Sequence, residues 1–131
     1  VRDGYGRILS YPYFDDSIGA INAGMIVTED TIKNRPELVQ SLVNAHIQAT
    51  ERMNSDRDAW LDKAASFGTD KALLEVSAEN IELCWDIDEQ YIQNTKNLAQ
   101  QMLELGMIDS IPDIDAMFDL SFLEQAKEAR D

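Results

Sequence analysis

VTEDTIKNRPELV, residues 27–39, decides how this chain is read. It joins the uncharged apolar run Met25-Ile26-Val27 to a segment opened by Pro36, where apolar residues begin to recur at helical spacing. An extended segment that crosses a short polar turn into a helix is the local grammar of an α/β layer, in which helices cover a sheet. NAGMIVT, residues 22–28, is therefore expected to be a strand buried on both faces, with Gly24 allowing a bend or a close backbone approach. RILSYPYF, residues 7–14, is expected to be a second short strand, which Pro12 restricts to an edge or a strand end. Two strands alone make a marginal ribbon, so both want neighbours.

Downstream of Thr28 the pattern turns helical. Proline fits the first turn of a helix, where its missing N–H costs nothing, so a long helix is expected from Pro36 to Met53 with Asn34 or Arg35 at its cap. Its core stripe should hold Leu38, Val39, Leu42, Val43, His46, Ile47, Ala49 and Met53. Ser55 and Asp58 resemble a capping pair for a helix containing Trp60, Ala64 and Phe67, stopped by Gly68. A shorter helix follows near Asp70–Ala78. ENIELCWDID, residues 79–88, then reads as an extended connection lying along a surface groove. Asp86, with Glu89 three residues on, is expected to start the strongest helix, whose stripe is Tyr91, Ile92, Leu98, Ala99, Met102 and Leu103 and whose end is Gly106. Pro112 interrupts the chain, and Ser121 with Glu124 forms a capping box for a last short helix.

The bulk figures narrow the partners. A length of 131 residues with 44% hydrophobic content suits one ordinary domain. Eleven basic against 25 acidic residues leave a formal charge of −14, which repels nucleic-acid backbones and anionic lipid surfaces. Cys84 is the single cysteine, so no internal disulfide forms and either redox compartment is open. No apolar run approaches the roughly 18 residues of a membrane span. The chain starts at Val1, as a segment of a longer polypeptide would.

The order of these pieces carries a family resemblance. A strand, then MIVTEDTIKNRPELVQSLVNAHIQATERMN (25–54), an extended segment, and NLAQQMLELGMIDSIPDIDAMFDLSFLEQA (97–126) together resemble the C-terminal part of solute-binding proteins of the nitrate, sulfonate/taurine and thiamine-precursor transport group. The likeness covers essentially the whole chain. Its most telling pieces are NRPELVQSLVNAHIQAT, LELGMI and FDLSFLEQA, a pattern of caps and core positions without a catalytic fingerprint. The resemblance implies an α/β fold: the C-terminal part of a two-lobed periplasmic-binding-protein architecture of the second type, predominantly helical here with two short N-terminal strands. It implies further that residues 1–24 form a hinge or lobe-crossing segment with an edge strand. Residues 25–131 would then supply the closing strand and helical layer of the first lobe as one structural unit. Most ligand-binding positions would lie upstream of Val1, and the chain by itself would expose apolar edges and self-associate.

Two stretches are candidate ligand sites. YPYFDDSIGAIN, residues 11–22, read as a loop between lobes, offers stacking faces from Tyr11, Tyr13 and Phe14 and polar groups from Asp15, Asp16 and Asn22. An ordinary glycine-containing hinge loop accounts for the same residues, and its paired carboxylates favour a cation or amine over an anion. Trp85 and Asp86 stand just before an expected helix start, where a stacking surface and oriented N–H groups could meet a ligand. The plainer account makes Trp85 a core anchor and Asp86 the cap. His46, the only histidine, reads as a hydrogen-bonded packing residue, and its spacing from Cys84 supports neither zinc ligation nor a Cys-His nucleophile. Asp109, Asp113, Asp115 and Asp119 lack the central glycine and terminal glutamate of a calcium loop, which leaves capping and turn roles.

These residues frame the functional expectations. The leading one is a non-catalytic, extracytoplasmic component of an ABC import system, periplasmic or membrane-anchored outside the cell. It would close around a small solute such as nitrate, a sulfonate, bicarbonate or a pyrimidine and deliver it to a membrane permease, without a cofactor or metal. An enzyme resembling the thiamine-pyrimidine synthases would need a dedicated histidine and iron ligands, which the chain does not display. A free-standing helical interaction domain, binding a partner helix through its apolar stripe, is the third expectation.

Overall fold

The computed structural model describes residues 4–10 and 23–130, and they are predominantly helical. In chain order the helices are α1 (Glu29–Asn34), α2 (Pro36–Ser55), α3 (Arg57–Ala65), α4 (Lys71–Ser77), α5 (Glu89–Glu104) and α6 (Ser121–Glu128), with 3-10 turns at Ala78–Asn80 and Asp115–Met117. No strand occurs among the described residues, which corrects the expectation at 7–10 and 23–28; residues 11–14 of the first expected strand lie outside them. The physical reason is pairing. A strand exists only as a member of a ladder, and β-branched, apolar sequence confers the tendency without supplying the partner. Residues 23–28 accordingly carry no regular structure, with Met25 50% and Ile26 93% exposed.

The polar stretch after Val27 is itself helical. Thr28 caps α1, its Oγ1 accepting from the Thr31 N–H at 3.2 Å, and Glu29 and Asp30 occupy the first turn, where negative charge is favoured. What reads as a turn is thus a short helix, broken from α2 at Arg35 because Pro36 disfavours helical backbone in the residue before it.

The described chain forms two compact units. The first comprises Val1–Ile26 and Ile87–Leu120; the second comprises Val27–Asp86 and Ser121–Asp131. In the second unit α2 packs against α1, α3 and α6, and α3 packs against α4. Its core is narrow: Val39, Ile47 and Thr50 from α2, Leu61 from α3, Ala78, and Leu123 with Ala126 from α6. The α2 stripe is therefore slimmer than its apolar residues suggest. Leu42, His46 and Ala49 face solvent, so the packing role expected of His46 is not observed. A helix buries only the strip that a neighbour covers, and α6, at eight residues, covers one flank.

α3 ends at Ala65, two residues before Phe67, which is 79% exposed beneath Lys63 Nζ at 5.2 Å. Its cap is Asp56, whose Oδ1 accepts from the Ala59 N–H at 3.0 Å, one position beyond the expected Ser55. Gly68 has φ +108°, a backbone setting that favours glycine, just after the helix stops.

In the first unit α5 carries the connection 105–120 folded back along it. Phe118 meets Tyr91 edge-on at 6.0 Å, Lys96 grips Asp115 at 2.7 Å, and Ala99 and Ile114 are buried. α5 starts from Asp88, whose Oδ1 accepts from the Tyr91 N–H at 2.8 Å, so the cap is two residues later than the Asp86 expected. It ends at Gly106 with φ +68°. The Met107 N–H donates to Met102 O at 2.8 Å and the Gly106 N–H to Leu103 O at 3.0 Å, which together form a Schellman closure.

Candidate functional site

The segment 81–86, between the 3-10 turn Ala78–Asn80 and α5, is where the sequence places Trp85, and it lacks regular structure as expected. A backbone without a ladder or helix must satisfy its polar groups in other ways. Here Asn54 Nδ2, near the end of α2, donates to Leu83 O at 3.0 Å. From the other end of the unit, α6 and the residues after it supply two cations: Lys127 Nζ pairs with Asp86 at 2.8 Å, and the Arg130 guanidinium lies 6.0 Å from the centre of the Trp85 ring. Arg130 also meets Glu51 of α2 at 2.6 Å. The exposed Cys84 donates its Sγ–H to Asp86 O at 3.3 Å.

This arrangement ties the segment to α2 and α6. Trp85 is half-buried, and Asp86, which the sequence suggested as a helix cap, is an ion-pair partner instead. The bond to Asp86 raises the Lys127 ammonium above its ordinary pKa against an opposing desolvation, with a lesser contribution from the bond to Glu124. Both cations are held by carboxylates, Lys127 by Asp86 and Glu124 and Arg130 by Glu51, and the one indole face is shared with a guanidinium.

Of the sequence-derived ligand residues, Tyr11, Tyr13, Phe14, Asp15 and Asn22, together with Asp16, lie outside the described residues. Trp85 is the member of that set within them. Asp113 takes the turn role expected of it, its Oδ1 accepting from the Ala116 N–H at 3.1 Å, whereas Asp115 instead forms an ion pair with Lys96 of α5, 19 residues away. No group of three or more potential metal ligands occurs among the described residues. No helix among them is long and apolar enough to cross a membrane.

Two recesses open on the second unit; the smaller lies along part of the 79–88 connection, which the sequence placed on a surface groove, and the larger was not anticipated. One, of about 90 Å³, adjoins the segment just described and is lined by Met53, Asn54, Arg57, Trp60, Ile81 and Leu83. The other, of about 350 Å³, lies where α2 meets α6 and is lined by Pro36, Glu37, Gln40, Ser41, Phe122 and Gln125. Gln40 anchors it: its Nε2 donates to Phe122 O at 3.0 Å and to Asn44 Oδ1 at 3.1 Å, and its Oε1 is buried without a partner among the described residues. Glutamines on a charged helix read as solvent-facing, and no local signal marks this one, because its environment comes from a helix 82 residues away. No protein-family model, curated protein or solved structure matches the chain.

Proposed function

We propose that the chain is the C-terminal part of an extracytoplasmic solute-binding protein of the nitrate, sulfonate/taurine and thiamine-precursor transport group. On this reading it is the non-catalytic receptor of an ABC import system that captures its solute between two lobes, and the exposed segment 23–28 packs against the remainder of the first lobe. The observation that carries the reading is the state of that segment. It is uncharged, free of proline, rich in β-forming residues and exposed, and it passes directly into helices suited to cover a sheet. The uncovered flank of α2, with Leu42 41% exposed, supports it as a second surface that a larger lobe would bury.

The mechanism is hinge closure. A small solute enters between open lobes, and contacts made only in the closed form supply the affinity and mark the loaded receptor for its permease. Calorimetry and small-angle scattering on the complete protein test this, with nitrate, taurine, bicarbonate and an aminopyrimidine as probes. Saturable binding of one probe with a fall in the radius of gyration is expected. Absence of both for all four overturns the assignment.

A further inference from the structure

The segment 81–86 is patterned like a strand that has no sheet. Its side chains alternate: Ile81 and Leu83 line the smaller recess and Trp85 meets Arg130, whereas Glu82, Cys84 and Asp86 are exposed. A period of two is the signature of extended backbone, and Ile81 has its dihedral angles, φ −118° and ψ 122°. In extended backbone the N–H and C=O of one residue point to the same edge, and successive residues point to opposite edges. Leu83 therefore belongs to the edge turned towards α2, where Asn54 Nδ2 donates to its carbonyl. Glu82 and Cys84 belong to the other edge, and no backbone N–H or C=O of either has a partner among the described residues.

An open edge is a template for another extended chain, which gains directional main-chain bonds by pairing with it. Charge selects the occupant. Glu79 and Glu82 have no cationic partner among the described residues, and the chain carries a formal charge of −14. Two copies pairing antiparallel about Cys84 would set Glu82 of one against Asp86 of the other, and like charges directly opposite each other destabilise a ladder. A strand bearing lysine or arginine instead gains an opposite-charge pair at Glu82. We propose that the Glu82–Cys84 edge receives an extended, cationic segment of a partner protein by strand addition, with a basic residue directly opposite Glu82. The edge is built within the second unit and does not rest on the transport reading.

The probe is a seven-residue peptide of alternating lysine and valine with blocked ends, titrated into the isotope-labelled 131-residue chain by nuclear magnetic resonance. Saturable shifts centred on the Glu82 and Cys84 amides, with slowed exchange of both, are expected. The same peptide with glutamate for lysine should not bind. A version N-methylated at each lysine keeps the charge and loses the main-chain donors, and should bind at least roughly tenfold more weakly. Cys84→Pro removes a donor that the fold leaves unused, so helical circular dichroism should persist while the lysine peptide weakens roughly tenfold. Should that variant unfold, Glu82→Lys takes its place, with severalfold weaker binding expected. Equal binding of the N-methylated peptide, shifts spread over the acidic surface rather than centred on this edge, no saturable shift, or unchanged affinity in the folded variant overturns the proposal.

Discussion

At the scale of single residues, stability in the second unit rests on a few well-buried side chains. Ile47 is 1% exposed, so Ile47→Ala leaves a cavity and is expected to cost about 2–5 kcal/mol in urea unfolding. Leu42, one turn and a residue earlier on the uncovered flank, should lose far less on truncation, about 0.5 kcal/mol. Arg130 joins Glu51 and Trp85, and a double-mutant cycle between Arg130→Ala and Trp85→Ala should return a coupling of about 0.5–1 kcal/mol, typical of an exposed cation–π pair. Lys71 sets a pH dependence. Hydrogen bonds to Asp58 first and Asp62 second, each 2.6 Å, raise its pKa above the ordinary lysine value. A raised folded pKa means that the stabilisation is complete below the unfolded value, about 10.4, and is lost as pH climbs through the folded one. The urea midpoint should therefore fall above about pH 10.4, and Lys71→Met should flatten that fall. The change will be small, because the lysine side chain is 33% exposed and solvent screens the pairs.

At the scale of elements, helix ends show what local sequence can and cannot specify. Part of the capping chemistry was legible: Gly106 ends α5 as expected, and aspartates start α4 and α5, while α3 starts from Asp56 where the sequence pointed to Ser55. Which aspartate acts was less so. Asp86 and Asp88 both precede α5, and Asp88 takes the cap while Asp86 is engaged by Lys127 from α6, a competition invisible without the tertiary partner. Asp88→Ala should thus cost α5 about 1 kcal/mol, whereas Asp86→Ala should leave α5 intact and loosen segment 81–86, a difference that amide exchange resolves. Gly106→Ala forces a side chain into left-handed backbone and should cost about 1–2 kcal/mol at the same helix end. The short α1 was missed because six residues give almost no apolar periodicity; only Thr28 and the acids after it signal it.

At the scale of the whole molecule, the two units differ in how much they bury. The second holds seven well-buried residues, including Val39, Ile47 and Leu123, while the first holds Ala99 and Ile114 among those described. Global protection from amide exchange is expected in α2 and α6, and α5 should open at lower free energy. Uniform protection across both units would contradict that ordering.

Helical content, the order of the later helices and most of their boundaries followed from residues 29–128 alone, because capping and helical periodicity act within a few positions of the chain. The state of residues 23–28, the exposure of His46, the role of Asp86 and the recess at Gln40 did not follow. Each depends on what lies alongside in space. Pairing, covering and counter-charge are supplied by segments distant in sequence, and only the folded chain shows which of them arrive.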